Sequence, residues 1–154
     1  MNNPTVKTID ALTEGDELEN VLKSGCEFPL RVTGHSMRPF LKEKRDTVWL
    51  ISCDSPKIGQ IVLFRRSDGH FVLHRVRKIR KDGSLTVNGD AQTWTETIRK
   101  DQVIARVTAV ARDGKRKSCG SFSVRLRDAL WYPTRPIRPF IFKAYSLIRK
   151  VIKK

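Results

Sequence analysis

Three side chains of this sequence are of the kinds that together activate a hydroxyl for attack on a carbonyl: Ser36, His74 and Asp90. Ser36 lies in Gly34-His35-Ser36-Met37-Arg38-Pro39, directly after the apolar run Phe28–Val32. A serine at a strand end, just before a Pro-containing turn, is held rigidly and can present its hydroxyl to a groove. The hydroxyl is a poor nucleophile without an adjacent base. His74 sits inside Val72-Leu73-His74-Arg75-Val76, a strand-like run that places it on the face opposite Leu73 and Arg75. Asn88-Gly89-Asp90-Ala91 ends the next strand, where Asp90 could hold the far nitrogen of His74 and fix its tautomer. Singly, each segment has a plainer reading: a turn serine, a structural histidine in a strand, a tight Gly-Asp turn.

The elements that must position these groups are mainly strands. Residues 9–24 read as a short helix, with Leu12, Leu18, Val21 and Leu22 as a partial apolar stripe and Gly25 as its stop. From Phe28 the pattern changes. Phe28–Val32, Thr47–Ser52, Gly59–Phe64, His70–Ile79, Ser84–Val87 and Gln102–Ala111 are rich in Val, Ile, Leu, Phe and Thr. Turn-forming runs such as Ser67-Asp68-Gly69 and Lys81-Asp82-Gly83 separate them. Short strands at this spacing predict a mainly β fold, a coiled antiparallel sheet or partly open barrel, with a short N-terminal helix and a basic amphipathic C-terminal helix. After Asp113-Gly114 the composition turns basic and Pro-containing, which divides the chain into an N-terminal helical segment (1–27), a β-domain (28–111) and an appendage (112–154).

Composition narrows the classes of function. The chain has 154 residues, 39% hydrophobic and 31% charged, enough for one domain with a real core. No run approaches the roughly 20 apolar residues of a membrane span. Met1–Glu19 is polar and acidic, without a basic start or an apolar h-region, so no signal peptide is expected and the chain is expected in the cytoplasm, peripheral at a membrane if its C-terminus holds it there. Three scattered cysteines, Cys26, Cys53 and Cys119, form neither a disulfide framework nor a zinc motif, and only three histidines are present. No metal or cofactor is expected. The net charge of +15 is unevenly spread: −4 over residues 1–30, +8 over 31–111 and +11 over 112–154. An anionic partner is therefore expected for the tail.

Taken in order and at this spacing, the motifs resemble the type I signal peptidases, in the branch that uses His where the bacterial enzymes use Lys. The family pattern of Gly-x-Ser-Met-x-Pro, a Gly-Asp-x-Val strand, His-Arg-Val, Gly-Asp and a closing hydrophobic strand is met over about residues 28–111. Here it reads Gly34-His35-Ser36-Met37-Arg38-Pro39, Arg45-Asp46-Thr47-Val48, Gly59-Gln60-Ile61-Val62, His74-Arg75-Val76, Gly89-Asp90 and Asp101–Val107. The resemblance implies a serine endopeptidase acting on peptide or protein substrates. Ser36 would be its nucleophile and His74 its general base, with Asp90 at the family's Gly-Asp position orienting His74. Members of the His branch can carry a second acid several residues later, which makes Glu96 the reserve candidate. Met37 would line the substrate groove or fill the core beneath it, and Arg75 is expected to be solvated.

Departures from the pattern qualify these roles. The family's Gly-Asp turns appear as Arg45-Asp46 and Gly59-Gln60. The position that can add a hydroxyl to the oxyanion hole is Gly34, leaving more of that work to the Ser36 N–H. An acidic helix stands where most signal peptidases have a membrane anchor, which weakens secretory signal-peptide cleavage more than peptide hydrolysis.

For the tail, a helix from Pro139 would gather Ile137, Phe140, Ile141, Ala144, Tyr145, Ile148, Val151 and Ile152 on one face, with Arg138, Lys143, Arg149, Lys150 and Lys153 on the other. Either the apolar face docks on the β-domain, or residues 137–154 lie on an anionic membrane, with Trp131 and Tyr132 at its interface. Nucleic acid is not expected as a partner, since no matching recognition motif accompanies the charge. Two other classes of function compete. A self-cleaving regulator of the LexA repressor type predicts a Lys base and a DNA-binding domain ahead of Phe28, where only 27 residues stand. A catalytically silent peptide-binding module has no physical need for the Ser36, His74 and Asp90 set.

Overall fold

The strands expected from apolar patterning are all present in the computed structural model, which describes residues 13–152. Helix α1 (Thr13–Lys23) leads into β1 (Phe28–Arg31), β2 (Asp46–Ser52), β3 (Ile61–Arg65) and β4 (Phe71–Ile79). Then come β5 (Leu85–Asn88), β6 (Glu96–Ile98), a short 3-10 turn, β7 (Val103–Arg112) and β8 (Lys115–Ser118). Helix α2 (Phe122–Trp131), a 3-10 segment (Tyr132–Ile137) and α3 (Arg138–Ile152) complete the order. The start of the expected first helix, residues 9–12 with Leu12, lies outside the described residues, as does Lys153.

The sheet has eight strands in the order β1-β2-β7-β3-β4-β5-β6, with β8 added on β7, every pair antiparallel and the whole not closed. Burial explains the patterning. In β2, Val48 and Leu50 point inward while their neighbours are half-buried, the alternation of a one-sided strand. In β3, Ile61 to Phe64 are all buried because the coiled sheet is covered on both sides there. Ile61 and Leu63 join a cluster with Leu18, Leu22, Leu30, Val48, Leu50 and Val107, whereas Val62 and Phe64 join Val76, Leu85, Val87 and Ile98. Leu18 and Leu22, one turn apart on α1, close the first cluster, and full burial of each is worth about 1.5–3 kcal/mol.

The domain boundary expected at residue 112 falls inside a hairpin. Asp113 and Gly114 have φ of 50° and 75°, both positive as a tight two-residue hairpin turn requires, and β8 returns along β7. The sheet therefore runs to Ser118. The sequence hid β8 because Lys115-Arg116-Lys117-Ser118 is wholly exposed and carries no apolar signal. Such charge suits an edge strand. No helix among the described residues is long and apolar enough to cross a membrane. The cysteines are free thiols, Cys53 buried, Cys119 half-buried and Cys26 exposed.

Candidate active site

Ser36 opens the turn that follows β1. The turn is closed by the amides of Phe40 and Leu41, which both donate to the Met37 carbonyl at 3.1 and 2.9 Å. Met37 itself is buried in the first core cluster and also borders the groove beside Ser36. From the other side, the Ala91 N–H donates to the Ser36 carbonyl at 2.8 Å. Gly89 lies so near that a Cβ on it would stand 2.7 Å from the same oxygen. The serine is thus fixed between a buried anchor and the loop that follows β5.

His74 is placed by β4, opposite Val62 of β3, and is almost fully buried. The Phe64 ring lies against it, centroid to centroid 5.9 Å. Its Nδ1 is 2.7 Å from Glu96 Oε1 on β6, a short contact bent away from the ideal N–H direction. Glu96 is in turn held in a fork by Arg66, with Nε to Oε2 at 3.0 Å and Nη2 to Oε1 at 2.8 Å. With Nδ1 facing Glu96, Nε2 is the nitrogen left to serve as a base. Burial pushes the His74 pKa below its ordinary value, the Glu96 charge opposes that and the Arg66 charge adds to it. A neutral imidazole at neutral pH is the form that can accept a proton. His74 and Ser36 line one groove of about 520 Å³.

The assignment of the acid is corrected by this geometry. Asp90 is fully buried but belongs to a different network: Arg75 donates to it from Nε (3.0 Å) and Nη2 (2.8 Å), and Arg77 from Nη2 (2.7 Å). Its carboxylate is committed to guanidinium groups, and the place at His74 Nδ1 is occupied by the reserve candidate Glu96. Arg75, expected in solvent, is buried, with Nη1 also donating to Asp128 at 2.7 Å and to the Gly59 carbonyl at 2.9 Å. Buried guanidinium needs such full pairing.

Gly34 borders the groove, and its amide is engaged, donating to Glu43 Oε2 at 3.1 Å. Among the described residues the Ser36 N–H has no acceptor, which leaves it available to a developing oxyanion. Arg66 was missed in the sequence because it lies in the β3–β4 hairpin, next to turn residues, with nothing to mark it as facing β6. Another cavity, about 1450 Å³ between the sheet and α2, contains neither Ser36 nor His74. Among the described residues no cluster of His, Cys, Asp or Glu has the make-up of a metal site. Set against known proteins, the sequence matches no family model and no curated protein.

Proposed function

We propose that the protein is a serine endopeptidase in which Ser36 attacks the scissile carbonyl and His74 acts as general base, oriented by Glu96. The observation that carries this reading is a half-buried serine sharing a groove with a buried histidine whose Nδ1 is 2.7 Å from a carboxylate. Ser36 Oγ forms a bond to the carbonyl carbon while His74 Nε2 takes its proton. The imidazolium then returns that proton to the leaving amine as the peptide bond breaks. A water, deprotonated by the same nitrogen, releases the acyl group and restores Ser36. Arg66 holds Glu96 in place, and Glu96 steadies the imidazolium.

An extended peptide is the substrate the groove favours. Its walls include Leu30–Val32 at the end of β1 and Phe71–Leu73 at the start of β4. β1 is at the edge of the sheet and offers unpaired backbone groups to an added strand. The test is an active-site serine probe read by intact mass, on wild type and on Ser36→Ala. Wild type should gain one adduct, located at Ser36, and hydrolyse an unstructured protein substrate; Ser36→Ala should do neither. Hydrolysis persisting in purified Ser36→Ala would refute the nucleophile.

A further inference from the structure

We propose that the outward face of α3 is a docking surface for an anionic membrane. On a helix of about 100° per residue, Arg138 and Phe142 share one side of α3, and this is the side that meets the rest of the protein. Arg138 is fully buried, and the Phe142 ring lies edge-on to Trp131 with centroids 6.2 Å apart. Phe140, Ala144 and Leu147 lie on the opposite side, with Ile148 at its edge and Tyr145, seven residues on from Arg138, nearer the docked side. Phe140 is 74% exposed and Tyr145 61%, and Leu147 and Ile148 are also open to solvent. The helix therefore docks through its other edge, and its apolar stripe is left uncovered among the described residues. This overturns the expectation that Arg138 belongs to the solvated basic face, and it disfavours the docked-stripe alternative.

Charge selects the occupant. Lys143 borders the stripe and is exposed, Arg149 is exposed on the side of Arg138, and residues 112–154 hold 13 basic against 2 acidic residues. A second copy of this face would bring like charges together, whereas an anionic lipid surface satisfies the lysines and arginines while its acyl boundary takes up the aromatic and aliphatic side chains. Vesicles of phosphatidylcholine, with and without phosphatidylglycerol, test this in sedimentation. Wild type should bind the anionic vesicles, at least tenfold less at high salt, and bind neutral vesicles weakly. The triple variant Phe140→Ser, Tyr145→Ser, Ile148→Ser should lose binding with an unchanged melting temperature. Lys143→Glu with Arg149→Glu should weaken binding on its own. Absence of binding to anionic vesicles at low salt, or a dimer abolished by the triple variant, would overturn the proposal, as would a triple variant that melts early because the stripe is packed.

From a separate observation we infer that Arg138 is a positioning residue for the proposed nucleophile, and this rests on the peptidase reading. Arg138 is buried with no carboxylate partner among the described residues; its Nη1 donates to the Gln92 carbonyl at 2.9 Å and reaches Asn88 Oδ1 at 3.3 Å. Trp131 Nε1 donates to the Asp90 carbonyl at 2.9 Å, and Arg135 Nε to the Thr93 carbonyl at 2.7 Å. The appendage thus grips the backbone of the same loop whose Ala91 amide holds the Ser36 carbonyl. Arg138→Met should lower kcat about tenfold, leave KM within twofold and leave the acid limb of the pH profile in place; Arg138→Lys should recover much of the loss. Trp131→Phe, which removes the indole N–H together with part of the ring, carries the test if Arg138→Met does not fold. Wild-type kcat in a folded variant would overturn the role, and serine-probe labelling of the wild type separates that result from failure of the peptidase reading.

Discussion

The carbonyl of Ser36 and the amide of Ala91 are joined by a 2.8 Å hydrogen bond that ties the turn holding Ser36 to the loop after β5. The Gly-Asp motif thereby acts on the serine rather than on the histidine. Asp90 is anchored by Arg75 and Arg77, and its neighbours Gly89 and Ala91 face Ser36.

Gly89→Ala tests this link. The added methyl would stand 2.7 Å from the Ser36 oxygen and 2.8 Å from Gln92 Oε1. Gln92 can swing away, but the carbonyl is backbone and must move with the serine. A shift of a few tenths of an ångström to 1 Å at a reacting atom is worth up to about 100-fold in rate. The expected result is a kcat reduced roughly 10- to 100-fold and slower probe labelling, with the pH dependence unchanged because His74 is untouched.

The sequence made the sheet legible because its strands carry apolar residues at the period of a pleat, as in Val48 and Leu50 or Ala105, Val107 and Ala109. It made Ser36 and His74 legible because each follows or occupies such a strand. Which acid stands at His74 Nδ1 was not legible. Asp90 and Glu96 flank the same short connection, and which one faces His74 depends on β6, three residues with little strand character of their own. Arg75 misled for a related reason: an arginine in a strand reads as solvent-facing until Asp90 and Asp128, distant in the chain, are seen to enclose it.

The two acids should fail differently. Asp90→Asn leaves Arg75 and Arg77 short of a buried counter-charge, a loss typically costing about 3–5 kcal/mol, so the melting temperature should drop markedly. Glu96→Gln removes a partly exposed carboxylate that steadies an imidazolium formed during the reaction. Its melt should move little while kcat falls by about two to three orders of magnitude. Differential scanning calorimetry beside peptide kinetics reads both. A stable, fully active Glu96→Gln would remove Glu96 from the catalytic assignment.

Acid stability should depend on Asp46. Its burial opposes ionisation, but hydrogen bonds from Arg45 and Arg112 and from the Lys42 amide outweigh this and lower the pKa from 3.8 to about 2. A carboxyl with a depressed folded-state pKa adds stability above the unfolded value and loses it as the pH falls through the folded one. Chemical denaturation should therefore show a stability decline between about pH 4 and pH 2 that is smaller in Asp46→Ala, whose stability is lower throughout. Equal slopes in the two proteins would show that other carboxyls govern the decline.

The pH profile of kcat/KM provides the sharpest test of the base. Proton acceptance needs neutral His74, so activity should rise with pH and level off once the imidazole is deprotonated. Burial depresses this pKa, Glu96 raises it and Arg66 depresses it, leaving the midpoint of the rise below the ordinary 6.5. The two neighbours thus pull in opposite directions, and their removal should move the limb oppositely. Glu96→Gln takes away the negative charge and leaves Arg66, so the midpoint should fall to lower pH. Arg66→Met takes away the positive charge and leaves Glu96, so the midpoint should rise. A change in overall packing would alter the plateau without displacing the limb in opposite directions. Coincident limbs in all three proteins would mean that the titrating group is not His74.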